Sequence, residues 1–267
     1  MQKCGYCTGF STDPHFKLGT ELLPMIKNAG FDYVEFPLMN FFYQTEAEFQ
    51  DVVKAVEKYS LNGPAACNFF PGDVKLVGKN VDCVRISSYL DVVLPRCSAL
   101  GINKIILGSG PARTFGKDQT RSQAFEQFAS LLKNVILPKT KQYGMLVCIE
   151  PFERNYCNLI ISVLEGLELV KTVNDSGLAL MVDLYHMLSN GEDLSALEEC
   201  FPYIKHVHVA GPDRKLTSDN DRYIYEALNR LCALGYNDSV SFEIEKSDEV
   251  MLRHELINVK NHLYGRN

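Results

Sequence analysis

Leu178-Ala-Leu-Met-Val-Asp-Leu-Tyr-His186 is a short apolar run that stops on a carboxylate, Asp183, with His186 three residues further on. A run of this length, apolar without alternation, has the character of a strand buried on both faces. It delivers a charge to its own C-terminal end, which is costly to bury unless something pairs with it. Aspartate together with histidine suits a divalent metal. If so, other strands should end in the same way.

Outward from this stretch, strand-like and helix-like patterns alternate along the whole chain. Strands are expected over 3–8, 31–36, 63–67, 103–107, 145–150, 178–183, 203–209 and 239–245. Helices are expected over 19–29, 46–59, 80–100, 119–143, 159–174, 193–200, 221–234 and 248–264, with a kink near Pro138. The second of these places Phe49, Val52, Val53 and Val56 on one face. Gly101, Gly144 and Gly235 stand where three of the helices should stop. Eight strand–helix units of roughly 25 to 35 residues have the size of βαβ crossovers. Their number and the chain length predict an α/β protein, a single (β/α)8 TIM barrel over residues 1–267. The rival is an open doubly wound sheet, which often carries a glycine-rich phosphate loop after its first strand. Here that segment reads GFSTDPHFKLG, which is not GxGxxG.

The bulk numbers narrow the classes. The chain has 267 residues, 46% apolar and 22% charged, ordinary for a folded globular protein. A net charge of −6 and the absence of any Lys/Arg run argue against a nucleic-acid partner. No apolar run approaches the ~20 residues of a membrane span, and no leader segment is expected at the N-terminus. Nine cysteines, odd in number and without framework spacing, read as reduced thiols in a cytoplasmic protein. Cys4-Gly-Tyr-Cys7 is a CxxC, but no second pair completes a zinc knuckle.

In a barrel the active site is built at the C-terminal ends of the strands, so those ends are the test. The fifth ends in Glu150, the sixth in Asp183, the seventh carries His208 and the eighth Glu243. One such carboxylate alone reads as a helix cap or ion-pair partner. Four groups on consecutive strands read as a metal site. Three carboxylates and one imidazole suit Mn2+, Mg2+ or Co2+, with Zn2+ also possible. His206 rivals His208, and Glu245 rivals Glu243, because period-2 alternation puts each pair on one face. His186, Arg214, Glu35 and Arg154 are candidate substrate contacts around this rim. Arg113, in the loop GSGPAR, is a candidate contact to a phosphate.

The set Glu150-Pro151, Asp183-x-x-His186, His206-x-His208-x5-Arg214 and Ser241-x-Glu243 resembles the sugar isomerase/epimerase superfamily of xylose isomerase-like TIM barrels. Within it the pattern is most similar to ketose 3-epimerases of the D-tagatose/D-psicose type. Inosose and hydroxypyruvate isomerases are near relatives. The resemblance implies that Glu150, Asp183, His208 and Glu243 hold a divalent metal against the carbonyl and hydroxyl oxygens of an unphosphorylated ketose or polyol ketone. Glu243 and Glu150 would then act as base and acid through an enediolate, with His186 and Arg214 on substrate oxygens. Ketose 3-epimerases commonly carry a second glutamate six residues after the first ligand. Here that position is Tyr156, which leaves room for an inosose or another ketone. The endonuclease IV type shares the barrel but needs extra histidines where this chain reads CNFF and LGSG. A non-catalytic barrel is the remaining alternative, and a homo-oligomer is allowed.

Overall fold

Short runs rich in Val, Ile, Leu and Cys form the eight strands, and nearly every residue in them is buried, as a sheet covered on both faces requires. They are β1 (Cys4–Cys7), β2 (Tyr33–Pro37), β3 (Ala65–Cys67), β4 (Lys104–Leu107), β5 (Leu146–Ile149), β6 (Leu178–Asp183), β7 (Ile204–Val209) and β8 (Ser239–Phe242). Each pairs parallel with its neighbour in sequence, and β8 pairs with β1, so the sheet closes. The computed structural model describes residues 3–9, 17–217, 221–245 and 247–264. The protein is an α/β closed barrel of the (β/α)8 type.

The helices are α1 (Leu23–Ala29), α2 (Leu38–Phe41), α3 (Glu46–Tyr59), α4 (Cys83–Ala99), α5 (Arg121–Leu131), α6 (Leu137–Gln142), α7 (Val163–Val173), α8 (Leu184–Asn190), α9 (Ala196–Cys200), α10 (Arg222–Ala233) and α11 (Glu249–Tyr264). Local chemistry sets their starts. Thr45 with Glu48 and Thr120 with Gln123 form capping boxes for α3 and α5. Asp82 caps α4 through two backbone N–H groups. The expected kink at Pro138 takes the form of a π-turn over Leu132–Ile136 between α5 and α6. Lengthening that turn accommodates a residue that has no N–H to donate and would crowd the carbonyl four residues back.

Two short helices lie where the sequence pattern predicts loops. Helix α2 follows β2 directly, and α8 follows β6 with Asp183 as its N-cap. Among the described residues no helix is long and apolar enough to cross a membrane.

The barrel interior is narrow enough to dictate small residues. A Cβ on Gly5 would collide with the Tyr33 ring, which crosses the interior to donate its hydroxyl to the Val240 carbonyl at 3.0 Å. Above it, Cys7, Cys67, Ile106, Cys148, Ala179 and Met181 pack as a separate small cluster. The main core lies between strands and helices.

Candidate metal centre

Parallel register brings the strand ends level. Asp183 pairs with His208, His208 with Ser241, and the Glu243 N–H donates to the Val209 carbonyl at 3.1 Å. Glu150, one residue beyond β5, donates its N–H to Leu107 of β4. One ligand atom from each of Glu150, Asp183, His208 and Glu243 therefore lies within 4.8 Å of the others, all buried. His208 Nδ1 stands 3.6 Å from Glu150 Oε1, 3.9 Å from Asp183 Oδ2 and 3.3 Å from Glu243 Oε2. Glu150 Oε1 and His208 Nδ1 make no hydrogen bond although solvent does not reach them. Buried polar atoms are ordinarily partnered, so Glu150 Oε1 and His208 Nδ1, aimed at the same point as the Arg214-paired Glu243 Oε2, suit a cation. Three carboxylates and one imidazole nitrogen fit a divalent ion of the Mn2+, Mg2+ or Co2+ kind, and Zn2+ chemically as well.

Asp183 divides its two oxygens between two tasks. Oδ1 caps α8, accepting from the N–H groups of Tyr185 at 2.8 Å and His186 at 3.2 Å. Oδ2 faces the centre and accepts from Arg214 Nη1 at 2.6 Å. The same Nη1 lies 2.8 Å from Glu243 Oε2, and Nη2 donates to His186 Nε2 at 2.8 Å. The guanidinium also lies over the Tyr185 ring at 4.2 Å. Asp213 and Arg214 adopt left-handed φ values of 56° and 55°, a conformation that costs a non-glycine residue about 1 kcal/mol or more. That strained loop carries the guanidinium inward, where it neutralises the crowded carboxylates.

Charge sets the roles of two carboxyls apart. Burial pushes the Glu150 carboxyl up to about 7, and the negative charges of Glu243 and Asp183 add to this against the pull of His208. Burial also acts on Asp183, but Arg214, His186 and His208 outweigh it and hold the carboxyl below the usual range. Without a metal, Glu150 is thus the carboxyl that takes up a proton more readily, and Asp183 stays ionised. Burial, with the Arg214 charge, pushes His186 down to about 4, so its ring is neutral. Because Nε2 accepts from Arg214, the hydrogen is assigned to Nδ1, which is buried and makes no hydrogen bond.

Beneath the centre lies a second polar layer. Glu35 is 0% exposed: Oε1 accepts from His208 Nε2 at 3.1 Å, and Oε2 from His206 Nε2 at 3.0 Å and from the Ser241 hydroxyl. His206 Nδ1 meets Ser239 Oγ at 2.8 Å, and Tyr33 Oη meets Ser241 Oγ at 2.7 Å. Glu35 holds Nε2–H of His208 and so turns Nδ1 toward the ligand cluster, the usual carboxylate–imidazole support of a metal ligand. The expectation that Glu35 faces substrate is corrected: β2 continues to Pro37, which leaves Glu35 two residues below the strand end.

Two further groups of ligand-type atoms, Cys7–Glu35–Cys67 and Glu35–His206–His208, share this carboxylate. Its oxygens are already engaged there, so the upper four residues are the better-suited site.

The remaining candidates separate cleanly. His206 occupies the lower layer and His208 the upper; Glu243 is buried in the cluster, whereas Glu245 is exposed. Arg154 is exposed, with its backbone N–H on Asn190 Oδ1, and the structure places its side chain in neither layer. Arg113 is fully buried, donates Nη2 to the Glu150 carbonyl at 2.5 Å and lies 5.2 Å from the Phe152 ring. Its Nε and Nη1 are buried without a hydrogen bond. Gly108 is required beside it, since a Cβ there would collide with Glu150 Oε2. Strand alternation is the signal that finds the lower layer, since Glu35, His206 and Ser241 all point to the barrel interior.

Residues 23–260 match the family described as xylose isomerase-like TIM barrel. A probable ketose 3-epimerase of Synechocystis sp. is 29% identical over 208 residues, 72% of this chain and 68% of that protein. An L-ribulose 3-epimerase of Mesorhizobium japonicum is 25% identical over 229 residues, 84% of this chain and 74% of that protein. Among solved structures, a D-psicose 3-epimerase with D-tagatose from Clostridium cellulolyticum H10 superposes with a TM-score of 0.81 over 98% of each chain. At 17% identity that likeness establishes the fold alone. With 238 consecutive residues (23 to 260 inclusive) under one family description, and with relatives named as sugar epimerases, the chain belongs to the xylose isomerase-like TIM barrel family.

Proposed function

We propose that this protein is a divalent-metal-dependent isomerase or epimerase of an unphosphorylated ketose or related polyol ketone. The observation that carries the reading is the convergence of Glu150 Oε1 and His208 Nδ1, buried and without hydrogen bonds, on Glu243 Oε2 and Asp183 Oδ2, which Arg214 pairs. The relatives named ketose 3-epimerase and L-ribulose 3-epimerase support the substrate class.

Glu150, Asp183, His208 and Glu243 would hold the ion, Mn2+, Mg2+ or Co2+ by the chemistry of the donors. When bound it supplies Lewis-acid stabilisation of the negative charge that develops when a proton leaves the carbon beside a ketone. Glu243, reaching in from β8, takes that proton. Glu150, reaching in from β5, returns one. Epimerisation needs removal from one face and return to the other, which two carboxylates on separate strands can divide between them. Asp183, kept ionised by Arg214, anchors and does not exchange protons. His186 offers its Nδ1–H to a substrate oxygen, and Arg214 keeps that tautomer. The nine cysteines, all free, fit a reducing compartment, and we place the protein in the cytoplasm on that ground.

The test is solvent exchange. Metal-loaded protein in D2O with a panel of ketoses and polyol ketones should introduce deuterium next to the carbonyl, and chelation should abolish it. Glu243→Gln should slow exchange about a thousandfold while the fold persists. Failure to retain a divalent ion, with no exchange in any ketone when one is added, would remove the reading.

A further inference from the structure

The starts of β4 and β8 stand four strands apart in a ring of eight, on opposite sides of the barrel. One side chain crosses between them. Lys104, its side chain 13% exposed, donates from Nζ to Asp238 Oδ1, just before β8, and to Ser239 Oγ at 3.0 Å. Asp238 Oδ1 also accepts from the Ser239 N–H at 2.8 Å. The ion pair thus spans the N-terminal mouth, the end of such barrels that ordinarily serves stability.

From this pair an unbroken line of hydrogen bonds climbs to the metal centre. Ser239 Oγ meets His206 Nδ1 at 2.8 Å, His206 Nε2 meets Glu35 Oε2 at 3.0 Å, and Glu35 Oε1 accepts from His208 Nε2 at 3.1 Å. His206 and Glu35 are both sealed from solvent. The line has a direction, and Lys104 supplies it, because an ammonium only donates. Having accepted from Lys104, Ser239 turns its own hydrogen to the other side-chain partner its hydroxyl has among the described residues, His206 Nδ1. That nitrogen then accepts, which leaves the ring hydrogen on Nε2, facing the Glu35 carboxylate. With the hydrogen on Nδ1 instead, the Ser239 hydrogen would lack an acceptor, and lone pairs of His206 and Glu35 would face each other.

We propose that Lys104 is a positioning residue for the metal centre: from the opposite mouth of the barrel it fixes the tautomer of His206 and, through Glu35, the orientation of the ligand His208. This rests on the reading that His208 Nδ1 holds a divalent ion. Lys104 itself touches neither ion nor substrate. Without its donation, Ser239 can accept from a hydrogen on His206 Nδ1, and Nε2 then offers Glu35 a lone pair. Glu35 loses one of its three side-chain donors and shifts, which loosens its hold on Nε2–H of His208 and so the aim of Nδ1. Asp238 takes part by keeping the ammonium beside Ser239.

The test reads tautomer and metal together. In long-range 1H–15N spectra of the Mg2+-loaded protein, His206 should carry its hydrogen on Nε2 alone, and in Lys104→Met a fraction should move to Nδ1. Calorimetric titration of Lys104→Met with Mn2+ should show affinity weakened about three- to tenfold, less than loss of a direct partner of the ligand would cause. Lys104→Arg, which also only donates, should restore both readings. Loss of a cation that merely braces the mouth would lower the melting midpoint and leave the tautomer where it is. Should Lys104→Met fail to fold, Ser239→Ala cuts the same line above the ion pair and should weaken Mn2+ binding to the same degree. An unchanged His206 tautomer in Lys104→Met, or Mn2+ affinity within about twofold of the parent in either variant, would overturn the proposal. Failure of the metal reading looks different: the parent protein then binds no Mn2+, while the His206 tautomer still responds to Lys104.

Discussion

Two polar layers lie one above the other in the same barrel, and they are built in opposite ways. In the lower layer Glu35 serves His206, His208 and Ser241, and Ser239 and Tyr33 complete the set. In the upper layer Glu150 Oε1 and His208 Nδ1 are buried without a hydrogen bond, three carboxylates crowd together, and a guanidinium reaches in from a strained loop. The lower layer is organised to be stable; the upper layer carries strain that a bound cation would relieve. Burial alone does not distinguish them, since both are sealed from solvent. What distinguishes them is whether each polar atom has a partner, because an unpartnered buried group costs about 1–3 kcal/mol.

The contrast breaks most visibly at Glu35. Glu35→Ala strips a partner from two buried imidazoles and a hydroxyl, and should cost about 3–5 kcal/mol. The thermal midpoint of the metal-free protein should fall by about 10 °C. Calorimetric titration with Mn2+ should also show affinity weakened about 10- to 100-fold, because Nδ1 of His208 is no longer oriented. A variant as stable as the parent would mean that the lower layer is not holding the barrel together.

Glu150→Gln probes the upper layer and should go the other way. Removing one of the crowded carboxylates leaves Arg214 with Asp183 and Glu243, so metal-free stability should rise by about 1 kcal/mol while metal-induced stabilisation disappears. Denaturant melts with and without Mn2+ measure both. A loss in the metal-free protein comparable to that of Glu35→Ala would erase the distinction between the layers.

The smallest effect sharpens the comparison with a half-buried carboxyl outside the centre. Burial pushes Glu192 up to about 7, with the charge of Glu165 adding, against the Val163 N–H and the Asn190 side chain. The folded chain therefore holds this proton more tightly than the unfolded chain, where an ordinary glutamate titrates near ~4.3. Its contribution is fully present below that value and is lost as pH rises through about 7. Stability should decline over that window, and Glu192→Gln should flatten the decline in thermal melts collected between about pH 5 and pH 8. An unchanged slope would show that Glu192 is not the group responsible.

Much of the architecture is legible in the chain itself. Uninterrupted apolar runs at regular spacing read as strands buried on both faces, and their number reads as a closed barrel. LALMVDLYH places a carboxylate at the end of β6, and the same rule locates Glu150, His208 and Glu243. Depth and local starts are less legible. The apolar pattern ends the second strand at Phe36 and so sets Glu35 near the rim, whereas β2 runs on to Pro37; in a strand a residue or two separates rim from interior. Helix α8 has no separate start signal, because its N-cap, Asp183, is also the last residue of a strand.

The sequence by itself determined which residue types reach the barrel interior, since alternation along a strand is a local property of the backbone. Only the tertiary structure decided which of their atoms find partners. Glu35 meets His206 and His208 across 171 and 173 residues of chain. Arg214 reaches Asp183 and Glu243 through a loop conformation that its own residues disfavour. The first outcome depends on closure of the sheet, which brings β2 to within hydrogen-bond distance of β7. That closure separates a satisfied lower layer from an upper one left ready for a cation.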